Sequence, residues 1–125
     1  MIVGQNATAE TLNGYGPQWD NMSIFDGSMS LTIDIKDQSR LLAEFIASVS
    51  LSNSEVWFRI VVDGQYVSII CYASSNPGIT VPVQVKILTG ALFAGQHTID
   101  VQFYQAGGTS TLLDRSLFIT ELAPP

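Results

Sequence analysis

The chain holds one histidine and one cysteine, and nucleophilic catalysis requires a base within hydrogen-bond reach of a hydroxyl or thiol. His97 follows the turn Ala94-Gly95 at the start of an alternating run, and no Gly-x-Ser-x-Gly nucleophile turn occurs. It is expected to order that turn or to bridge strands. Cys71 lies in the apolar run Val67-Ser68-Ile69-Ile70-Cys71-Tyr72 and reads as a small buried hydrophobe. A single thiol allows no intrachain disulfide and no thiolate zinc cluster. Asp26-Gly27 and Asp63-Gly64 are turn dipeptides, and neither opens an EF-hand loop. Paired carboxylates could hydrolyse a glycoside, but the one acid on a mostly apolar strand face, Glu44, has Arg59 on the corresponding face of the next strand. Those two are expected to pair across strands or between subunits. No enzyme activity, cofactor or metal is expected.

Aromatic rings offer a different chemistry, because their faces pack against the C–H groups of sugars. Tyr15, Trp19, Trp57, Tyr66, Tyr72 and Tyr104 could build such a platform. Tyr15 and Trp19, outside the regular alternation, are the candidate glycan contacts. A carbohydrate-binding module is therefore the alternative function.

The elements that position these residues are strands. Residues 1–18 are polar and Gly-rich, carry the turn signals Asn13-Gly14 and Gly16-Pro17, and read as an extended N-terminal arm. Residues 19–125 read as one β-sandwich domain. Leu31, Ile33 and Ile35 alternate with polar neighbours, and Leu41, Ala43, Phe45, Ala47, Val49 and Leu51 make one face of a long strand. Val56, Phe58, Ile60 and Val62 lead into Asp63-Gly64, a two-residue hairpin signal, with a return strand from Tyr66 to Tyr72. Residues 79–87 form a further strand, and Pro82, which cannot donate to a ladder, puts it at an edge or leaves its nitrogen side free there. Residues 97–104, with Ile99, Val101 and Phe103 inward, and residues 109–122 complete the set. With a short strand at Trp19–Ile24 this gives about eight strands, no helix, and an all-β, two-sheet antiparallel sandwich of jelly-roll type.

Composition fits that architecture. The 125 residues suit a single domain. They are 46% hydrophobic and 13% charged, which excludes intrinsic disorder. No apolar run approaches the length of a membrane-spanning helix. Eleven acids against five bases give a net charge of −6, which argues against nucleic-acid binding. The N-terminus has neither a basic nor an apolar segment of the kind a signal peptide carries, so synthesis in the cytoplasm is expected.

The second strand faces carry too many apolar residues for a lone subunit. Leu42, Ile46, Trp57, Val61, Ile70 and Tyr72, with the Glu44–Arg59 pair, are expected to form one oligomer interface. The segments Phe58-Arg59-Ile60-Val61-Val62-Asp63-Gly64-Gln65, Leu92-Phe93-Ala94-Gly95-Gln96-His97-Thr98, Gly107-Gly108-Thr109 and Asp114-Arg115-Ser116-Leu117-Phe118 resemble the jelly-roll modules of phage tail, fibre and capsid-surface proteins. They are also similar to the trimeric heads of the tumour-necrosis-factor and complement-type superfamily. The resemblance spans about residues 20–122 and implies a homotrimer on a virion surface, with a capsid or tail protein as partner, serving in decoration or attachment.

Overall fold

Two long strands carry the fold. β5 (Arg40–Val62) and β9 (Gly95–Leu122) pair antiparallel from Arg40↔Leu122 to Val62↔Ile99. In the computed structural model the described residues are 1–12, 15, 18–66 and 71–124, with backbone alone at Tyr66 and Cys71. The free side of β9 takes β1 (Ile2–Asn6), β2 (Glu10–Thr11), β3 (Asp20–Asn21) and β4 (Ser30–Ile35). The free side of β5 takes β6 (Gln65–Tyr66), β7 (Cys71–Ser75) and β8 (Ile79–Leu88). Among the described residues β8 pairs with β5 alone, so Pro82 does sit on an edge strand, opposite Ser48. Asp63 and Gly64 have φ of 52° and 79°, the left-handed pair that a two-residue hairpin turn requires.

This continuous ladder folds over into two layers. Phe45 and Phe58 are thirteen residues apart on β5, a span of roughly 43 Å in a straight strand. Their ring centroids are 5.4 Å apart, so they face each other across the core. Sheet I contains β1, β2, the C-terminal half of β9, the N-terminal half of β5, and β8. Sheet II contains β4, β3, the other halves of β9 and β5, and β7 with β6. The architecture is an all-β antiparallel sandwich of jelly-roll type.

Both long strands change phase at the corner. On β5 the buried positions are Leu41, Ala43, Phe45, Ala47, Val49 and Leu51, then Ser54, Val56, Phe58 and Ile60. The parity flips across Ser52-Asn53, where Asn53 has φ of 49°. Opposite it, Gly107 has φ of 76°, and a Cβ on Gly108 would lie 2.1 Å from the Ser52 carbonyl oxygen. The strands can approach this closely only with glycine there.

A second irregularity explains a charge. Ala47 pairs with Arg115 but Val49 with Leu112, so Leu113 and Asp114 bulge opposite Ser48. The shift turns Arg115 inward. Arg115 is buried, and its Nε donates to the buried Asp26 carboxylate. Its Nη1 donates to the carbonyls of Thr8 (2.8 Å) and Leu113 (2.9 Å). Burial alone raises the pKa of Asp26, but hydrogen bonds from Ser28, Arg115 and Asn6 and the Arg115 charge bring it below its ordinary value.

The N-terminal residues differ from the expected arm. Ile2–Asn6 pair with Ile119–Arg115 and Glu10–Thr11 with Leu112–Thr111, and Leu12 is fully buried. The segment orders against its own chain, because β9 offers a free edge there and Arg115 binds the Thr8 carbonyl. The turn signals at Asn13-Gly14 and Gly16-Pro17 lie outside the described residues. The strand expected at Trp19–Ile24 is reduced to Asp20–Asn21 followed by a 3-10 turn at Met22–Ile24.

Candidate functional site: an aromatic face on sheet II

On the solvent side of sheet II, three neighbouring strand positions and the residue before β3 carry aromatic rings in one row. Trp57 of β5 pairs with Tyr72 of β7 on one side and Tyr104 of β9 on the other. Trp19 immediately precedes β3, whose Asp20 pairs with Phe103. Centroid distances run 5.7 Å from Trp19 to Tyr104, 5.1 Å from Tyr104 to Trp57 and 5.0 Å from Trp57 to Tyr72. Four strands at about 4.8 Å spacing make a row roughly 14 Å long, the scale of a short oligosaccharide. Each ring contact contributes about 0.5–1.5 kcal/mol beyond its burial, so the rings hold one another in place. Tyr72 remains 50% exposed, while Trp19, Trp57 and Tyr104 are partly buried.

Polar groups flank the row on both sides. Arg59 sits with its guanidinium carbon 4.0 Å from the Trp19 ring centroid, a cation–π contact. Its Nε donates to Gln102 Oε1 at 2.7 Å, and Gln102 Nε2 donates to Asn21 Oδ1 at 2.9 Å. On the other flank Tyr72 Oη donates to Glu55 Oε1 at 3.1 Å. Beyond Glu55 opens a cleft of about 600 Å³ at the corner between the sheets.

The residues expected to form one interface are divided between two outer faces. Leu42, Glu44 and Ile46 precede the corner on β5 and lie on the outside of sheet I. Trp57 and Arg59 follow it and lie, with Tyr72, on the outside of sheet II. The parity flip at Ser52-Asn53 is the physical reason. Glu44 and Arg59 therefore do not pair: Glu44 Oε2 accepts from Gln84 Nε2 at 2.6 Å, and Arg59 binds Gln102. Val61 is 3% exposed, because Ile60, Val61 and Val62 are all enclosed at the closed end of β5. Ile70 lies outside the described residues, as do the side chains of Cys71 and Tyr66. Tyr15 packs against Phe25 and the buried Phe103, at 5.6 and 5.5 Å, and so serves the core. Trp19 does join the aromatic face. The sequence reading missed Gln102, Glu55 and Asn21; their shared outward parity was the available signal.

On sheet I the outer face is apolar in a different way. Leu42 pairs with Leu88, and Phe118 lies between Val3 and Glu44. Ile46 is 40% and Leu88 50% exposed. Met1, Leu42, Ile46 and Phe118 line one shallow depression there.

No protein-family model matches the sequence, and no curated protein matches it significantly. Among solved structures, the C-terminal domain of EclA, a sugar-binding protein, superposes with a TM-score of 0.54 at 12% identity. The match covers 92% of this chain and 79% of that one. The infectious bursal disease virus Gx strain structure gives 0.54 at 12% identity, over 97% of this chain and 32% of that one. VP2 of the same virus, in a subviral particle, gives 0.53 at 11% identity over 94% of this chain. This chain spans about a third of the viral protein's length. At such identities the shared property is the fold, and that fold is found in both viral-particle and sugar-binding proteins.

His97 has a structural assignment. Its Nδ1 meets Asp63 Oδ2 at 2.6 Å and its Nε2 meets the Phe93 carbonyl at 2.8 Å. Both partners are acceptors, so the geometry suits an imidazolium that ties the loop before β9 to the β5–β6 turn. The Phe93 carbonyl, then Asp63, hold the pKa of His97 above its ordinary 6.5. Burial raises that of Asp63, but the Thr98 amide and His97 bring it below 3.8. The histidine's contribution to stability is complete below pH 6.5 and lost as pH rises through its raised value. That of Asp63 is complete above pH 3.8 and lost as pH falls through its lowered value. The melting temperature of the wild type should therefore exceed that of His97→Gln most between about pH 4 and 6.5, with the gap closing in alkali. A gap constant from acid to alkali in a thermal-melt series would contradict this assignment.

Proposed function

We propose that the protein is a non-catalytic recognition subunit that binds carbohydrate on its aromatic face. The observation that carries this is the row Trp19, Tyr104, Trp57 and Tyr72, brought side by side on one face and flanked by Arg59, Gln102 and Glu55. Pre-packed rings present apolar area with little rotamer entropy left to lose on binding. Mixed donors and acceptors at their margins suit hydroxyl groups. The shared fold with a sugar-binding domain supports the reading. Both His97 nitrogens are engaged in holding a loop, which supports binding without turnover. In affinity electrophoresis through gels containing xylan, mannan or β-glucan, the wild type should be retarded by at least one polysaccharide. Trp57→Ala should weaken that retardation at least about tenfold, the factor that 1.4 kcal/mol produces. Migration unchanged in every gel would contradict the proposal.

A second role is favoured by the apolar outer face of sheet I. We propose that Leu42, Ile46, Leu88 and Phe118 pack against copies of the same chain, in a homotrimer on a virion surface with a capsid or tail protein beneath it. Assembly through sheet I leaves the aromatic face of sheet II open to a glycan, so the two roles are compatible. The similarity in fold to the viral particle protein supports this arrangement. Light scattering should give a trimer mass for the wild type and a monomer for Ile46→Lys, since a buried unpaired ammonium disfavours the seam. A monomeric wild type would remove the assembly role and leave the recognition role untouched.

A further inference from the structure

The corner where both long strands change sheets also shapes a cleft beside the aromatic row. Asn53, Glu55, Ser74, Asn76 and Gly107 are among its ten lining residues, and it encloses about 600 Å³. Glu55 pairs with Ser74 and with Ala106. Each of these stands two residues beyond a ring of the row, on the same outward face. Two residues along a strand is about 6.7 Å, so the cleft begins one step from Trp57 and Tyr72. The hydrogen bond from Tyr72 to Glu55 joins the two rows. The Asn53 amide donates to the Asn76 carbonyl at 3.3 Å, which ties the β7–β8 loop to the corner and gives the cleft a wall.

The chemistry of that lining is selective. Asn53 and Asn76 each offer amide donors and an acceptor, Ser74 offers a hydroxyl, Ser75 Oγ can accept while it donates to the Pro77 carbonyl, and Glu55 accepts. A sugar hydroxyl, which both donates and accepts, can be satisfied there. Among the described residues no lysine, arginine or histidine lines the cleft, and the chain carries a net charge of −6. A carboxylate or sulfate entering it would lose its hydration beside the Glu55 carboxylate with no cation in return.

We infer that this cleft is the specificity subsite of the aromatic face, taking one uncharged sugar ring and refusing an acidic one. The inference rests on the glycan reading of the row. Its test is an array of gluco-, xylo-, manno- and galacto-oligosaccharides, each printed beside its uronic-acid or sulfated counterpart. The probes are wild type, Glu55→Gln and Trp57→Ala, with circular dichroism confirming that each variant is folded. The wild type should bind a neutral member at least about tenfold more tightly than its acidic counterpart. Glu55→Gln should weaken the neutral contact about fivefold, the cost of turning one charge-assisted hydrogen bond into a neutral one, and narrow the discrimination. Equal or tighter binding of the acidic sugar, or discrimination unchanged in Glu55→Gln, overturns the subsite while leaving the platform. Wild-type binding to no member, or neutral binding unaltered in Trp57→Ala, overturns the platform reading and the subsite with it.

Discussion

The pairing of β5 with β9 is the constraint on which the rest of this molecule depends. The two strands stay hydrogen-bonded through a right-about bend and belong to both layers of the sandwich. Keeping the ladder intact while turning a corner requires residues that tolerate left-handed or crowded backbone, and Asn53, Gly107 and Gly108 supply them. The bend brings Phe45 onto Phe58 and so creates the core. It also reverses which side chains face solvent. The character of each outer surface, including where the aromatic residues meet, follows from that reversal.

Much of this was legible in the sequence. A half-buried strand must alternate, and the inward sets Leu41 to Leu51, Val56 to Val62 and Ile99 to Phe103 are buried as the alternation indicates. The Asp63-Gly64 turn and the edge position of Pro82 follow from backbone chemistry that is purely local. The arrangement of the outer faces was less accessible. Hydrophobic period fixes the phase of a strand only between irregularities, and one added residue exchanges its faces. Ser52-Asn53 and Leu113-Asp114 are such places, and nothing in a run of polar residues says whether the chain ends there or continues out of phase. Hence Leu42 and Trp57 looked like members of one surface. The N-terminal segment was obscure for another reason: its pairing partner lies more than a hundred residues away, and its own composition is that of a loop.

The buried polar contacts show how the edges of the sandwich are closed. Arg115 uses its charge on Asp26 and its Nη1 donors on Thr8 and Leu113, linking the first residues, the 3-10 turns and the bulge of β9. His97 performs a comparable task at the other end, between Asp63 and Phe93. Both ionisable groups are engaged in holding loops. The surfaces with unspent capacity are the outer faces. One is aliphatic, with Glu44 and Lys86 paired in register across it; the other is aromatic with a hydrogen-bonded polar margin. A monomer with the wrong phase on either strand would mix these two characters. The corner keeps them on opposite sides of the sandwich.

The aromatic face is the centre of this account, and its occupancy can be read from the indole N–H signals of Trp19 and Trp57. Proton–nitrogen correlation spectra of labelled protein, titrated with neutral oligosaccharides, give that reading directly. Both indole signals and the backbone amides of Tyr72 and Tyr104 should shift together, saturably, while those of sheet I stay in place. Saturable shifts confined to sheet I, or no shift at any position with any oligosaccharide, would contradict a sugar-binding role for this face.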